Sequence, residues 1–357
     1  MPVSYSPSFR GHEQVVFCYD ADVGLNAIIA IHDTTLGPAL GGLRMWPFAS
    51  EMKALEDVLR LSRGMTYKAA MSGLPFGGGK AVIIGDPKTD KSEALLERFG
   101  EFVDGLGGRY ITAEDVGTST RDLAVIRRRT KYAAGFADGG SGDPSPVTAW
   151  GVFHGIRAAV AHRLRLPNLA NVTIAIQGLG NVGLELARFL HEAGARLVVS
   201  DLDAERVEQA VANFGARAVE PLRIYGEPAD VFAPCALGAV LNDDTIPRLT
   251  ASVVAGSANN QLAEDRHGTA LMQRRILYAP DYVINAGGII NINYEGPRYD
   301  AKAAMAHAAR IYETLSELFQ SAGRQGVPTN IVADSLAETR IAAAKAKRRA
   351  RDLKLAG

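Results

Sequence analysis

The feature that most constrains the fold of this chain is a glycine-rich turn between an apolar strand and a helix. Val172–Ile176 is a short apolar run, and Gly178-Leu-Gly180-Asn181-Val182-Gly183 follows it and opens a segment with helical spacing. The first glycine permits a tight turn, the second lets the backbone approach a pyrophosphate, and the third lets the helix pack on the strand. An ordinary strand-to-helix turn also uses glycine, but the combined context favours a dinucleotide site at the helix N-terminus.

An acidic residue follows the next predicted strand. Asp201 comes directly after Arg196–Ser200, 23 positions beyond Gly178. A carboxylate there accepts hydrogen bonds from ribose hydroxyls and repels a 2′-phosphate, which predicts NAD rather than NADP. The alternative for Asp201 is a helix N-cap. Two turns of small residues also follow apolar strands: Cys235-Ala236-Leu237-Gly238 and Gly256-Ser-Ala-Asn259-Asn260. They either line the nicotinamide end of the cofactor site or only form turns.

Strands and helices alternate along the chain. After the glycine turn, the pattern predicts a helix over 181–193 and strands over 196–200, 231–233 and 252–255, which is typical of a doubly wound parallel sheet. Residues 1 to about 140 are predicted to be mixed α/β, with an apolar run at 27–31, helices near 51–68 and 91–104 and a strand at 81–84. Gly, Pro and Ser in 137–146 indicate a linker. We expect domains at 1–140 and 141–329, with two long helices from 299 onward and the last, about 330–357, returning to the first domain.

Composition narrows the class of partner. Lys plus Arg and Asp plus Glu both number 39, so the net charge is zero and no field favours nucleic acid or an anionic membrane. The basic cluster in 345–351 is expected to be a solvated helix end.

Two cysteines are too few for a disulfide framework or a Cys-rich zinc site, and they fit a reducing compartment. The amino-terminal residues lack the apolar segment of a signal peptide, and no apolar run is long enough to span a bilayer. We expect a cytoplasmic protein with a small-molecule partner and no metal.

Two short motifs in the first domain carry candidate chemistry. Lys80 follows Gly77-Gly-Gly, just before the predicted strand, but the spacing is not that of a phosphate-binding P-loop, and Ala81 offers no hydroxyl for magnesium. A catalytic or carboxylate-binding lysine fits better. Glu114 and Asp115 lie in Thr112-Ala-Glu-Asp-Val-Gly117, where an acid can exchange protons with an amine. From these residues alone, surface ion pairs for the lysines and an N-cap role for Asp115 remain slightly favoured.

Taken together, six motifs in order along nearly the whole chain resemble the glutamate, leucine, phenylalanine and valine dehydrogenase family, most of all its leucine branch. These motifs are Gly41-Gly42-Leu-Arg44, Met65-Thr-Tyr-Lys68, Gly77-Gly-Gly-Lys80, Thr112-Ala-Glu-Asp-Val-Gly117, Gly178-Leu-Gly-Asn-Val-Gly183 and Asn285-Ala-Gly-Gly288. The resemblance implies an N-terminal substrate-binding and oligomerisation domain, a C-terminal Rossmann-type NAD-binding domain and a homo-oligomer. It also implies reversible oxidative deamination of an L-amino acid to a 2-oxo acid and ammonia.

The resemblance assigns roles to individual residues. Lys68 would hold the substrate α-carboxylate beside Gly41 and Gly42, Lys80 would activate the attacking water, and Asp115 would pass a proton to and from the amino group. A lysine has an ordinary pKa of about 10.4, so Lys80 needs burial or a neighbouring cation to act as a base. The cofactor would be held by residues of the glycine-rich turn at 178–183, of the two later turns and of three further positions. The full set is Gly178, Gly180, Asn181, Val182, Gly183, Asp201, Thr148, Ala236, Leu237, Gly238, Asn259, Asn260 and Asn285.

Substrate choice is predicted from two departures from the glutamate-specific pattern. Those members carry a lysine where this chain has Leu40, and a serine where it has Ile292, three residues after Ile289. An unpaired carboxylate in such a pocket costs several kcal/mol, so glutamate is disfavoured. With Ala113, these residues predict an aliphatic pocket for leucine, valine or isoleucine. An aromatic substrate such as phenylalanine is the alternative, and Tyr294 departs from the leucine pattern. A catalytically silent NAD-binding regulator is a further alternative, against which Lys68, Lys80 and Asp115 together argue.

Overall fold

The computed structural model of the chain describes residues 3–136, 142–296 and 298–355, with side chains described up to 351. The chain divides into two compact units. The first contains the residues up to Asp143 together with Glu295–Tyr299 and the residues from Ala337 onward, and the second contains Pro144–Tyr294 and Asp300–Leu336. The predicted two-domain α/β class is confirmed. Of the predicted linker, residues 137–141 lie outside the described residues. Ser145 and Pro146 are the first residues of a helix, and proline is tolerated at the start of a helix.

The first unit is built on a five-stranded mixed sheet with the order β1-β2-β4-β3-β5. Strand β2 pairs antiparallel with β1 and β4, whereas β3 pairs parallel with β4 and β5. Apolar residues of β2 alternate between the two faces: Ile28 packs in a cluster with Val58 of α1, and Ile29 in a cluster with Phe99 of α2. The elements are β1 Gln14–Asp20, β2 Leu25–Asp33, β3 Ala39–Trp46, α1 Glu51–Met71, β4 Gly77–Ile84, α2 Glu93–Gly105, β5 Tyr110–Glu114 and α3 Thr120–Ile126.

Strand β4 begins four residues earlier than the sequence predicts, at Gly77 instead of Ala81. The cause is close approach of the backbone to its neighbours. A Cβ at Gly78 would lie 2.1 Å from the amide nitrogen of Thr66, and one at Gly79 would lie 2.7 Å from the Tyr110 ring. Glycine is a poor strand former, but here it lets β4 run beneath α1 and between β2 and β3.

The second unit contains a six-stranded parallel sheet with the order β11-β10-β9-β6-β7-β8. The strand order reverses between β6 and β9, which is the topological switch point at which such sheets bind ligands. The prediction of a doubly wound parallel sheet is confirmed. The elements are α4 Ser145–Arg163, β6 Thr173–Gln177, α5 Asn181–Glu192, β7 Arg196–Ser200, α6 Ala204–Phe214, β8 Arg217–Ala218, β9 Val231–Pro234, β10 Val253–Val254, α7 Arg266–Gln273, β11 Leu277–Tyr278, α8 Asp281–Ile284 and α9 Gly287–Asn293.

Between Tyr299 and residue 355, the last that the structure describes, there are three helices and not the predicted two. They are α10 Ala301–Ala309, α11 Ile311–Gln325 and α12 Thr329–Leu355. The additional break is at Arg310, whose N–H donates to the carbonyl of His307 at 3.0 Å, a tight turn that ends α10. Gly326 ends α11 with a φ of 65°, a left-handed conformation that favours glycine. Among the described residues, no helix combines the length and apolar character needed to span a membrane.

Candidate active site

Close packing of β3 against its two neighbours forms the centre of the candidate site. A Cβ at Gly41 would lie 1.7 Å from the carbonyl oxygen of Gly79, and one at Gly42 would lie 2.8 Å from Cβ of Asp115. No side chain larger than hydrogen fits at either position. Gly42 has no side chain to occupy the space above β3. Lys80 on β4 and Asp115 after β5 can therefore contact each other across that strand.

Lys80 and Asp115 form a buried ion pair. Nζ of Lys80 lies 2.9 Å from Oδ1 of Asp115, and the two side chains are 6% and 19% exposed. Burial lowers the pKa of Lys80 below its ordinary value, and the attraction of Asp115 offsets this only in part. Burial works to raise the pKa of Asp115, but Lys80 and Arg44 outweigh it, so the pKa of that carboxyl lies below its usual range. The site therefore holds a carboxylate beside a lysine that binds its proton more weakly than in water.

Lys68 lies in the last turn of α1, the helix that packs on β4. Thr66 on the same turn contacts Gly78 so closely that a Cβ there would overlap its side-chain oxygen. The helix begins at Glu51, where the side chain of Ser50 accepts the N–H of Lys53. The segment that carries Lys68 is thus packed directly on the strand that carries Lys80.

The predicted pocket residues lie in both units. Leu40 on β3 is 1% exposed and pairs with Gly78 and Ile111 of the neighbouring strands. Ala113 on β5 is buried and pairs with Gly42. Ile289 and Ile292 lie on α9 of the second unit, and Ile289 is buried there. Tyr294 caps α9, and its hydroxyl lies 3.2 Å from Nδ1 of His307.

The glycine-rich turn of the second unit has the backbone that its sequence predicts. Gly178 has a φ of +96°, and a Cβ there would lie 2.6 Å from Cβ of Ala236. A Cβ at Gly183 would lie 2.0 Å from the carbonyl oxygen of Gly178, so the third glycine brings α5 onto the turn. Gly180 is the N-cap of α5, and Asn181 and Val182 are its first residues. This geometry fits a phosphate group at the helix N-terminus.

Asp201 links the glycine-rich turn to the turn after β7. Its Oδ2 accepts the N–H of Leu179 at 2.5 Å, and its Oδ1 accepts the N–H of Asp203 at 2.9 Å. Helix α6 is capped by Asp203, which accepts the N–H of Glu205, so the N-cap alternative for Asp201 is wrong. Each carboxylate oxygen has a second lone pair, which leaves capacity for ribose hydroxyls.

Asn285 and Asn259 meet beyond the ends of the strands. Nδ2 of Asn285 donates to Oδ1 of Asn259 at 2.8 Å and to the carbonyl of Ser257 at 3.0 Å. In the part of the chain that the structure describes, Oδ1 of Asn285 is buried and has no hydrogen-bond partner. An unpaired buried acceptor is costly unless a ligand or water donates to it. Close by, a Cβ at Gly287 would lie 2.5 Å from Cα of Thr148, so α9 packs directly on the start of α4.

The remaining cofactor candidates are in the two small-residue turns. Gly238 contacts the second turn, where a Cβ would lie 2.8 Å from the carbonyl of Asn259. Asn260 has a φ of 51°, a left-handed conformation that asparagine tolerates, and its carbonyl accepts the N–H of Ala239 at 2.7 Å. Leu237 is largely exposed. The two turns are therefore joined within the second unit.

One cluster of potential metal ligands is already satisfied by protein groups. Single ligand atoms of Asp243, Glu264 and His267 lie within 4.8 Å of one another. Arg266 pairs with both carboxylates, at 2.6 and 3.0 Å. The ring of His267 accepts the N–H of Glu264 at Nδ1 and lies 3.3 Å from Asp243 at Nε2. The bridging arginine supplies the positive charge that a metal ion would otherwise provide.

Two arginines at these sites received no role from the sequence. Arg44 lies in the Gly-Gly-Leu-Arg motif and contacts Asp115, and its place in that motif was the available signal. Arg206 lies near the start of α6. It forms an ion pair with Asp203 at 3.2 Å, and its Nη1 would lie 3.8 Å from a Cβ at Gly180, so this half-exposed side chain reaches the glycine-rich turn.

Comparisons with known proteins cover nearly the whole chain. The family profile described as "Glu/Leu/Phe/Val dehydrogenase, dimerisation domain" matches residues 12–132, and "Glutamate/Leucine/Phenylalanine/Valine dehydrogenase" matches residues 139–208 and 203–329. The leucine dehydrogenase of Bacillus cereus is 54% identical over 94% of this chain and 93% of its own length. The phenylalanine dehydrogenase of Bacillus thermotolerans is 49% identical over 93% of this chain and 89% of its own. The crystal structure of L-tryptophan dehydrogenase from Nostoc punctiforme has a TM-score of 0.83 at 49% identity, covering 94% and 97% of the two chains.

Proposed function

The chain belongs to the Glu/Leu/Phe/Val dehydrogenase family, whose members use NAD or NADP, and we propose that it deaminates branched-chain aliphatic L-amino acids with NAD. The products are the 2-oxo acid and ammonia, and the reaction is reversible. The observation that carries this proposal is the buried pair of Lys80 and Asp115, with Nζ 2.9 Å from Oδ1. A binding module needs no such pair, whereas amine oxidation followed by hydrolysis needs both a base and a proton carrier.

The proposed chemistry divides between three side chains of the first unit. Lys68 binds the substrate α-carboxylate. A nicotinamide cofactor held by residues at the strand ends of the second unit would supply the acceptor for the hydride from Cα. Asp115 takes a proton from the substrate nitrogen, which leaves an imine. Neutral Lys80 removes a proton from water as the water oxygen adds to Cα, and Asp115 returns its proton to the nitrogen. As the C–N bond breaks, the hydroxyl proton passes to the departing nitrogen, which leaves the 2-oxo acid and ammonia. Because burial lowers the pKa of Lys80, its neutral, proton-accepting form is easier to reach than that of a lysine in water.

The preference for NAD rests on Asp201. Its carboxylate is held at the glycine-rich turn by two backbone N–H groups, and its charge opposes a 2′-phosphate. The test compares kcat/KM with NAD and with NADP for the wild type and for Asp201→Asn, which keeps a hydrogen-bond acceptor but removes the charge. We expect the preference for NAD to fall about tenfold or more, corresponding to about 1.4 kcal/mol. Glu205→Gln, an exposed acid on α6, is the matched control and should keep the ratio.

The rest of the cofactor is proposed to lie along the strand ends of the second unit. The free Oδ1 of Asn285 is suited to accept a hydrogen bond from the nicotinamide carboxamide. The N-terminus of α5 with Asn181 and Val182 would hold the pyrophosphate. The proposed lining is completed by small and polar residues: Thr148, Ala236, Leu237, Gly238, Asn259 and Asn260.

The branched-chain preference rests on the residues Leu40, Ala113, Ile289 and Ile292. The residues of the first unit in this set, Leu40 and Ala113, are apolar and buried and offer no partner for a side-chain carboxylate. Aliphatic substrates differ by only about 1–3 kcal/mol per methylene, so activity with several of them is expected. Support also comes from the leucine dehydrogenases, which are 54% identical to this chain.

The deciding experiment measures NADH formation by the purified protein with leucine, valine, isoleucine, phenylalanine, tryptophan and glutamate in turn. Fast turnover of leucine or valine with none of glutamate supports the proposal. Turnover of aromatic substrates alone would replace it with the aromatic alternative, for which the tryptophan and phenylalanine dehydrogenases at 49–52% identity are the argument. Binding of NAD without oxidation of any amino acid would support the regulator instead.

We also propose a homo-oligomer formed through the first unit, whose matching family profile is called a dimerisation domain. Strand β1 is at the edge of its sheet, and Phe17 and Tyr19 on it are 45% and 70% exposed. A seven-residue edge strand that exposes aromatic side chains is a template for pairing with a second strand. The molar mass of Phe17→Lys/Tyr19→Lys by light scattering should fall below that of the wild type. Leu202→Lys, which changes an exposed residue of the second unit, should leave it unchanged.

A cytoplasmic location is proposed from the state of the cysteines. Cys18 and Cys235 are both free thiols, which fits a reducing compartment. Fractionation of cells that express the full chain should place it with the cytoplasmic proteins. Recovery in an exported fraction would contradict this location without bearing on the activity.

A further inference from the structure

The side chain of Arg44 lies between two acids of the first unit. Its Nε donates to Oδ2 of Asp115 and its Nη1 donates to Oδ2 of Asp57, both at 2.8 Å. The three side chains are 20%, 19% and 14% exposed, so these bonds are largely shielded from water. Both oxygens of Asp115 are therefore engaged, Oδ1 by Lys80 and Oδ2 by Arg44.

Charges alternate along this group of side chains. Lys80 on β4, Asp115 after β5, Arg44 on β3 and Asp57 on α1 follow one another at 2.8–2.9 Å. An isolated buried charge is costly, so removing one partner of a buried ion pair destabilises the folded protein. In this group each buried charge has an opposite charge in contact. Arg44 is the member that joins Asp115 to the helix.

The carboxylate of Asp115 is also fixed from its backbone. The N–H of Asp115 donates to Oγ1 of Thr118 at 3.1 Å, and that hydroxyl donates to the carbonyl of Leu43 on β3 at 2.8 Å. Strand β3 thus holds Asp115 at two points, by the backbone through Leu43 and by the carboxylate through Arg44. A planar guanidinium with donors on two edges suits this task better than an ammonium group.

We infer that Arg44 is a positioning residue for the deamination: it holds Oδ2 of Asp115 and so presents Oδ1 to Lys80 and to the substrate nitrogen. This inference rests on the proposed function and names a residue that acts through Asp115. Without Arg44 the carboxylate can rotate about its Cβ–Cγ bond, and its contact with Lys80 is no longer fixed. The expected loss is therefore in kcat more than in KM.

The charges around the pair give a second readout. The charged and titratable groups that interact with Asp115 are Lys80 on β4, Arg44 on β3, and Tyr110 and Glu114 on β5. Asp57 on α1 also acts on Lys80. Arg44 lowers the pKa of Asp115 by attraction and the pKa of Lys80 by repulsion. Its removal raises both, so both limbs of the profile of kcat/KM against pH should move to higher pH.

The test uses the full-length protein with Arg44→Gln, Arg44→Lys and the control Arg98→Gln. Arg98 likewise joins two acids of the first unit, Asp20 and Glu101, each at 2.7 Å. For Arg44→Gln we expect kcat to fall about tenfold or more and both limbs to move up by about one pH unit. Arg44→Lys keeps the charge but not the two-edged geometry, so the limbs should stay near their wild-type positions while kcat falls. Arg98→Gln should match the wild type in both.

Three outcomes separate the possibilities. A folded Arg44→Gln protein with unmoved limbs and unchanged kcat overturns the inference. If that variant does not fold, Arg44→Lys decides, because wild-type kcat in it overturns the inference and a lowered kcat with unmoved limbs supports it. If the wild type itself oxidises no amino acid while it binds NAD, the proposed function fails, and this result is distinct from the other two.

Discussion

Nζ of Lys80 lies 2.9 Å from Oδ1 of Asp115, although Lys80 lies on β4, Asp115 directly follows β5, and β3 lies between these two strands. The contact depends on Gly42, whose missing side chain leaves room for the acid. The chain is an amino-acid dehydrogenase of the Glu/Leu/Phe/Val family, and this pair is the centre of the proposed chemistry. Four tests follow from the site and its surroundings.

Replacing Lys80 should stop turnover without removing the cofactor. Lys80→Met keeps the length of the side chain and removes the base, so kcat should fall about 10²–10⁴-fold. Affinity for NADH, followed by fluorescence, should be retained because the proposed cofactor residues are all in the second unit. Lys91→Met, which breaks the 2.8 Å pair with Asp122 in the same unit, is the control. Turnover within twofold of the wild type in Lys80→Met would remove this residue from the mechanism.

Substitution of alanine for each of two glycines of the first unit should change the free energy of unfolding in opposite directions. Gly41→Ala places a methyl group 1.7 Å from the carbonyl oxygen of Gly79, so the free energy of unfolding should fall by about 3 kcal/mol or more. Gly64 lies inside α1 with open space around its Cβ position, and Gly64→Ala should raise it by about 0.5–1 kcal/mol. Urea unfolding of both variants measures the difference. Equal stability of Gly41→Ala and the wild type would contradict the close packing of β3.

Substrate choice should respond to the residue at position 40. Leu40 is 1% exposed, and Leu40→Lys would place an ammonium group there that needs an anionic partner. We expect kcat/KM for leucine to fall about 100-fold or more and measurable activity with glutamate to appear. Leu40→Met, of similar volume, should change leucine turnover only slightly. If Leu40→Lys still oxidises leucine at the wild-type rate, Leu40 does not line the substrate pocket.

The stability of the first unit should decrease in acid through His32. Burial is the main cause that lowers the pKa of His32 to about 4, from 6.5, and its Nδ1 lies 2.8 Å from the hydroxyl of Thr66. The folded form binds this proton less tightly than the unfolded chain. The contribution of neutral His32 is therefore full above pH 6.5 and is lost as the pH falls towards 4.

The unfolding free energy of the wild type, measured at several pH values, should decline between pH 6.5 and 4 more steeply than that of His32→Gln. His191→Gln changes an exposed histidine of the second unit and serves as the control. Parallel curves for the wild type and His32→Gln would show that the histidine does not titrate with folding.

The features that depend only on residues close together in the sequence were predictable from the sequence. The turn at Gly178 needs a positive φ, and the apolar periodicity around it predicts strand and helix because each pattern is complete within a few residues. The ordered motifs placed the chain in its family, and the comparisons confirm this. Lys80 and Asp115 were both predicted as candidates for the same reason, since each lies in a short recognisable motif.

Tertiary structure decided the features that depend on distant segments. The start of β4 at Gly77 reflects the helix and strands packed around it, and the break at Arg310 is one tight turn that helical spacing does not reveal. Arg44 meets Asp115 across 71 positions of sequence and Asp57 across 13. No local pattern contains those contacts, because they form only when β3 is placed between β4 and β5 and α1 is packed on the sheet. Sequence by itself therefore determined which side chains are proposed to carry the chemistry, and the packing of the backbone decided which of them touch.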